Sequence, residues 1–406
     1  MSQEKLKKKG LILSWALYDL ANQFFALNIV SFYFPLWVTI EKKSPPLHLI
    51  FFGISMLLVA LCAPILGTIS DETGKRKIFL IYFTLLSIIF TMSLGLVGSV
   101  FLALLFFAIA NFGCQMAVVF YNALLVKVAP KERIGFVSGL GRMFGYSGAI
   151  LALYLTKPEK IGYSGAFLLT GVLFLLFSLP CMIFIREEPV KAPQRLISFL
   201  SRRKLLEILR RLKTTILKNS QLSELRIFLK AAFFGLCVVN TVIVIMVVYA
   251  TNVFGLTEVE VKNLIVLSTI FAILASVLMG FISDIIGYRR SLFAVFLLWG
   301  VCLLGGALLK PPFHWLIGAL AGFSLGSTWV VARALVIKLV PEEMVGEAFG
   351  LFNLVGYLSA IVGPTFLFLI LRFTSSYRLS LLSLIVFIII GCLFLLKMHD
   401  QYKTSL

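Results

Sequence analysis

The sequence predicts an all-α, polytopic membrane protein of twelve transmembrane helices, built from two like halves. Three observations carry this. Of 406 residues, 60% are hydrophobic and 14% are charged, and the mean hydropathy is +1.02, far outside the range of soluble globular domains. The apolar residues gather into runs that, at about 1.5 Å of helical rise per residue, cross a hydrocarbon core of roughly 30 Å. The stretch Gly67-Thr-Ile-Ser-Asp71-Glu-Thr-Gly74-Lys-Arg76-Lys77 recurs in the second half as Gly280-Phe-Ile-Ser-Asp284-Ile-Ile-Gly287-Tyr-Arg289-Arg290. A second repeat aligns residues 121–150 with 332–361 without a gap, matching among others Ala123, Leu124, Lys127, Pro130, Glu132, Gly135, Gly139 and Gly145.

The expected spans are 11–39, 47–69, 78–98, 100–125, 135–155 and 164–185, then 226–253, 259–283, 291–308, 313–337, 345–371 and 377–396. The first follows Lys5, Lys7, Lys8 and Lys9 and so resembles a signal peptide. It is too long for one and lacks a small-residue cleavage site, so it stays as the first helix. Spans two and three, and eight and nine, are separated by the repeated Gly/Asp/Arg turn. The second repeat runs across the turn between spans four and five, and between spans ten and eleven. An even number of spans puts both termini on one face. With an inside start, the inner segments hold about 26 Lys and Arg and the outer loops about 8, which makes both termini cytoplasmic. The expected domains are therefore an N-terminal six-helix half, 1–185, a linker, 186–225, and a C-terminal six-helix half, 226–406. Within the linker, Leu196, Phe199, Leu206, Leu209, Leu212 and Ile216 form one apolar stripe among Lys and Arg. That pattern reads as a basic amphipathic helix lying in the cytoplasmic interface, with a partner-binding or regulatory helix as the rival reading.

The formal net charge of +19 does not indicate a nucleic-acid partner. The charges sit in short loops between apolar spans, where they fix topology and meet anionic lipid heads. The cysteines at 62, 114, 181, 237, 302 and 392 lie singly in different spans, so neither a disulfide framework nor a metal site is expected. His48, His314 and His399 lie at or just beyond span ends, which leaves any proton coupling to a carboxylate. There is no G-x-x-x-x-G-K-[ST] loop, and no cofactor and no enzymatic reaction are expected. The energy for any transport comes from a gradient or from none.

Glycines in the repeated turn, Gly67, Gly74, Gly280 and Gly287, permit close helix approach. Asp71 and Asp284 are placed to meet the positive N-terminal ends of helices in the other half, with Arg76 and Arg289 clamping the turn. Contacts of that kind, made on one side of the transport cycle only, act as a conformational latch. A plain topogenic loop is the alternative.

At these residues the chain resembles the major facilitator superfamily, whose members carry this loop in both halves. The opening Ser14-Trp15-Ala16-Leu17-Tyr18-Asp19-Leu20-Ala21-Asn22, the segment Tyr121-Asn122-Ala123-Leu124-Leu125, Val137-Ser138-Gly139-Leu140-Gly141 through Gly145-Tyr146, Asn240-Thr241-Val242-Ile243, and Gly346-Glu347-Ala348-Phe349-Gly350-Leu351 are similar to the autophagy-related vacuolar effluxer family and its bacterial relatives. The chain departs from that family at Val126, Lys127, Cys237 and Val238. The resemblance implies two six-helix bundles related by approximate two-fold symmetry, with spans one, four, seven and ten lining a central cavity and spans one and five adjacent. It also implies a secondary transporter of a small polar solute, with amino-acid efflux as the family's theme. A sugar–cation symporter of the same superfamily and a non-transporting scaffold or lipid-handling protein are the alternatives. The expected partners are a small-molecule substrate, a proton or sodium ion and membrane lipids. A monomer in the bacterial cytoplasmic membrane is expected.

Asp19, Arg142, Lys230 and Arg333 are the ionisable residues clearly inside apolar runs, and each needs a partner or a wet cavity. Lys230 is near its helix end and snorkels. Asp19 lies about 12 Å and Arg142 about 10 Å from the same face by helical rise, so they are expected to pair, either as a structural bridge or as a substrate- or proton-binding group. Asn22 and Gln23 share the Asp19 face. Asn28, Asn111, Gln115, Asn240, Thr241, Ser324, Ser327 and Thr328 complete the candidate set, each either interhelical glue or a cavity group. Arg333 anchors a carboxylate or closes the cytoplasmic gate.

Overall fold

The computed structural model describes residues 3–187 and 222–399, with Arg203, Lys204, Leu206, Glu207, Ile208, Arg210 and Leu212 between them. The basic helix expected over 195–218 therefore lies largely outside the described residues. Within it, Ile208 and Leu212 are buried, and the Lys204 ammonium lies 3.8 Å from the Glu72 carboxylate.

Because hydrocarbon offers no water to an open backbone, a span closes all its hydrogen bonds within itself. Among the described residues there is no strand, and twelve helices are long and apolar enough to cross a membrane. They are α1 (Lys7–Glu41), α2 (His48–Thr73), α3 (Arg76–Leu96), α4 (Val100–Val128), α5 (Ile134–Leu155), α6 (Pro158–Phe184), α7 (Ser223–Phe254), α8 (Glu258–Ile286), α9 (Tyr288–Leu308), α10 (His314–Lys338), α11 (Glu342–Thr374) and α12 (Tyr377–Lys397).

Local chemistry sets the ends. Gly74 stops α2 with φ of 64° and Gly255 stops α7 with φ of 69°, a left-handed turn that glycine adopts without a Cβ clash. Thr257 and Glu260 cap each other's backbone N–H at the start of α8, a reciprocal capping box. The first helix is not uniform. It is α-helical to Phe25, π-helical over Ala26–Ser31, α-helical over Tyr33–Leu36 and π-helical again over Trp37–Glu41.

Contacts divide the chain into two units, each with its own core. The first comprises Met1–Lys131, Leu140–Leu212 and Pro341–Gly350, and the second comprises Glu132–Gly139, Lys213–Val340 and Leu351–Leu406. The first turns of α5 thus belong to the second unit and those of α11 to the first. Helix pairing repeats: α1–α6, α2–α4, α3–α4 and α3–α6 in the first unit correspond to α7–α12, α8–α10, α9–α10 and α9–α12 in the second.

Tight packing comes from small residues at four-residue spacing. In α10, a Cβ on Gly322 would strike the Ser268 carbonyl and one on Gly326 the Ala272 carbonyl, so a glycine ridge seats directly on the α8 backbone. Helices in membranes associate largely by such close contact. Gly322→Val and Gly326→Val are expected to lower the melting temperature of the purified protein, since overpacking costs about 1–3 kcal/mol. Gly53→Ala, where the added Cβ would meet nothing within 4 Å, is expected to leave it unchanged. Equal melting temperatures for all three would refute this packing assignment.

Candidate functional site

Two constellations stand out, one at the repeated turns and one around Asp19. At the end of α2, the Asp71 carboxylate accepts from the backbone N–H of Gly346 at 3.0 Å and of Glu347 at 2.8 Å. These are first-turn amides of the α-helical part of α11, which begins at Val345. At the end of α8, Asp284 does the same at the start of α5, accepting from Gly135 N–H at 2.8 Å and Phe136 N–H at 2.9 Å. First-turn amides have no partner in their own helix, and the helix dipole favours an anion there. Each carboxylate thus satisfies two such donors by charge-assisted bonds.

Glycine makes the approach possible. A Cβ on Gly67 would run into the Gly346 carbonyl, and one on Gly280 would sit 2.5 Å from the Gly135 carbonyl. One turn on, a Cβ on Gly350 would come 2.5 Å from the Ala63 carbonyl, and one on Gly139 would strike the Ser276 carbonyl.

Side chains from the turn itself hold the carboxylate in both copies. Arg76 holds Asp71 through Nε at 2.8 Å and Nη2 at 2.7 Å, with both residues buried. The Arg76 guanidinium also donates to the Glu342 carbonyl, and Lys127 forms an ion pair with the Glu342 carboxylate. At Asp284 the Tyr288 hydroxyl donates at 2.6 Å, and the next residue, Arg289, is partly buried. Gly74 and Gly287, at φ of 64° and 93°, turn the chain in both copies. Tyr288, Lys127 and Glu342 escape sequence reasoning. Only the alignment of Lys127 with Lys338 and of Gly135 with Gly346 in the second repeat hints at this neighbourhood. Beside Lys77, the Glu187 carboxylate accepts from its backbone N–H at 2.7 Å. Burial pushes the Glu187 carboxyl above its usual range, and that hydrogen bond opposes the shift.

Within the first unit, Asp19 on α1 and Arg142 on α5 meet, with Nη1 3.6 Å from Oδ1. Asp19 is almost fully buried, its side chain 3% exposed against 18% for Arg142. The distance is attractive but longer than a hydrogen bond. A Cβ on Gly145 would lie 3.3 Å from the Asp19 carboxylate and 3.5 Å from Gln23, so Asp19 and Gln23 share the face of α1 that meets α5. Below them, Trp15, Tyr121 and Tyr18 stack with ring centroids 4.5 and 4.7 Å apart. Trp15 Nε1 donates to the Tyr121 carbonyl at 3.1 Å. On the α4 side, Asn22 accepts from the Cys114 thiol at 2.8 Å, and Gln115 on the same helix is partly buried.

The remaining candidates divide by what they bond. Asn28 donates to Thr156 at 2.9 Å and Thr170 at 2.8 Å, and Asn111 donates to Ser55 at 2.7 Å. Both are fully buried and tie helices together. In the second unit, Asn240 donates to Ser359 at 3.0 Å, joining α7 to α11. Thr241, Ser324, Ser327 and Thr328 each donate to the carbonyl four residues back, and Thr328 also accepts from the Trp299 indole at 3.0 Å. Arg333 is buried on α10. Lys230 lies over the Phe394 ring at 5.7 Å, its stem along apolar surface.

Comparison with known proteins fits this geometry into a family. Residues 130–404 match the family described as Vacuole effluxer Atg22 like, and residues 2–153 match the Major Facilitator Superfamily. An uncharacterized protein of Aquifex aeolicus (strain VF5) is 30% identical over 383 residues, covering 94% of this chain and 91% of that protein. The uncharacterized MFS-type transporter YxiO of Bacillus subtilis (strain 168) is 25% identical over 417 residues, covering 97% and 95%. In fold, the crystal structure of the human organic anion transporter MFSD10 (TETRAN) superposes with a TM-score of 0.76 at 15% identity, covering 97% of this chain and 100% of that one. With its duplicated Asp-capped turns, its twelve helices and this match over most of its length, the chain belongs to the Atg22-like vacuole effluxer family and is a transporter of the major facilitator superfamily.

Proposed function

We propose that this transporter moves a small polar solute by alternating access, with amino-acid efflux as its activity. It works as a monomer in a bacterial cytoplasmic membrane, both termini inside. The observation that carries the reading is the duplicated capping of α11 and α5 by Asp71 and Asp284. Two matched, multi-donor contacts at helix starts are strong when made and cleanly lost on separation, which is what a latch on one state of a cycle requires. The Lys and Arg excess of the inner segments supports the orientation.

The solute class is read from Asp19 and Arg142. A carboxylate and a guanidinium 3.6 Å apart present both signs side by side, and they complement the ammonium and carboxylate of an amino acid. Asp19 also serves as the coupling group, exchanging a proton or sodium ion while Arg142 sets its charge.

In proteoliposomes, Asp71→Asn and Asp284→Asn are expected to lower turnover about tenfold, the change produced by roughly 1.4 kcal/mol in a conformational equilibrium, while substrate binding persists. Unchanged flux, or loss of binding with unchanged turnover, counts against a latch.

Asp19→Asn is expected to remain folded and to remove the dependence of flux on pH or sodium. If Asp19 is purely structural, the same change strands Arg142 at a cost of roughly 3–5 kcal/mol. Expression then falls, and Arg142→Leu restores it. A doubly substituted protein that transports with normal coupling would eliminate the coupling role.

A further inference from the structure

Inside the second unit, α7, α8, α9 and α10 surround a partly open hollow of about 100 Å³, with Leu381 of α12 contributing to the wall. None of the transport candidates lines it. Its wall is almost wholly apolar, set by residues such as Ile245, Met246, Leu264, Ile265, Leu303 and Ile317. The few polar groups there are satisfied by the protein. Tyr249 Oη donates to the Gly306 carbonyl at 2.8 Å, Trp299 Nε1 to Thr328 Oγ1 at 3.0 Å, and Ser268 Oγ to the Gly318 carbonyl at 2.8 Å.

His314 is the exception. It is 5% exposed and lines the cavity, yet neither Nδ1 nor Nε2 has a hydrogen-bond partner among the described residues. Its ring is oriented between Phe254, at 5.6 Å, and Trp315, at 5.0 Å. A buried polar group with no bond keeps its desolvation penalty, and ligand pockets are characteristically apolar hollows with a small number of placed polar groups.

We infer that this cavity is a binding site for a neutral apolar small molecule bearing one hydroxyl or carbonyl group, which hydrogen-bonds to His314. Neutral imidazole offers one N–H donor and one acceptor nitrogen, which a hydroxyl matches from either side and a carbonyl from one. A fully charged ligand is disfavoured, because the apolar wall supplies nothing to replace its hydration. The site is separate from the transport reading and does not depend on it.

The test uses the full-length protein in lipid nanodiscs, with 4-bromophenol and bromobenzene as probes. Their bromine quenches tryptophan emission, and Trp299 is part of the wall. The two differ by a single hydroxyl. The wild type is expected to show saturable quenching by both, with 4-bromophenol binding about fivefold more tightly, the yield of one added hydrogen bond. His314→Phe is expected to keep bromobenzene binding and lose the preference, and His314→Gln to retain it. Ala321→Leu, which fills the cavity, is expected to abolish saturable quenching by either probe and to report the background from bilayer partitioning.

Equal affinity of the wild type for both probes, persistence of the preference in His314→Phe, or saturable quenching undiminished in Ala321→Leu overturns the site. So does quenching that follows the acyl composition of the disc with no preference for the hydroxyl, since a lipid chain is then the occupant. Should His314→Phe fail to elute as folded protein, the comparison of the wild type, His314→Gln and Ala321→Leu decides alone.

Discussion

In a hydrocarbon slab an unmatched polar group has no water to fall back on, and this constraint reaches furthest at the beginnings of helices. Amides in a first turn point along the axis with nothing of their own to bond. The chain resolves the problem at α5 and α11 by importing a carboxylate, Asp284 or Asp71. That solution demands backbone proximity, which accounts for glycine or another small residue at Ala63, Gly67, Gly346 and Gly350, and again at Ser276, Gly280, Gly135 and Gly139. The carboxylate and the glycines are therefore one device.

The same constraint separates glue from chemistry among the polar side chains. Asn28 and Asn111 bond other buried side chains at 2.7–2.9 Å, and the hydroxyls of Thr241, Ser324 and Ser327 return to their own helix. Bonds of that kind stabilise helix association. Asp19 and Arg142 meet as opposite charges 3.6 Å apart, an ion pair rather than a bond between neutral groups.

Much of the fold is legible in the sequence, because hydropathy alone locates spans. The boundaries shift where the first turn is polar: α3 begins at Arg76 rather than 78, its Arg76 and Lys77 staying helical, and α7 at Ser223 rather than 226, with the acidic Glu224 in a first turn whose helix dipole favours it. The repeat shows Asp71 and Asp284 as a pair, but identical spacing hides unequal chemistry. Arg76 clamps Asp71, and at Asp284 the hydroxyl of Tyr288, one residue earlier in register than Arg289, also bonds the carboxylate. A motif counts positions, and the reach of a side chain decides which position is used. His314 carries no local signal either. It opens a helix like many interfacial histidines, and only the packing of four helices shows that its nitrogens are sealed in.

The two π-helical turns of α1 have a mechanical consequence. Each wider turn acts as an inserted residue, and each insertion advances the phase of everything beyond it by about 100°. Upstream, Trp15, Tyr18 and Asp19 are fixed in the core by stacking and charge. Downstream, Phe34 and Trp37 lock into a separate aromatic nest with Phe107 and Phe167. The π turn over Ala26–Ser31 lies between these anchors, and Asn28 within it is held by Thr156 and Thr170, so the helix keeps its two anchored faces at a set angle.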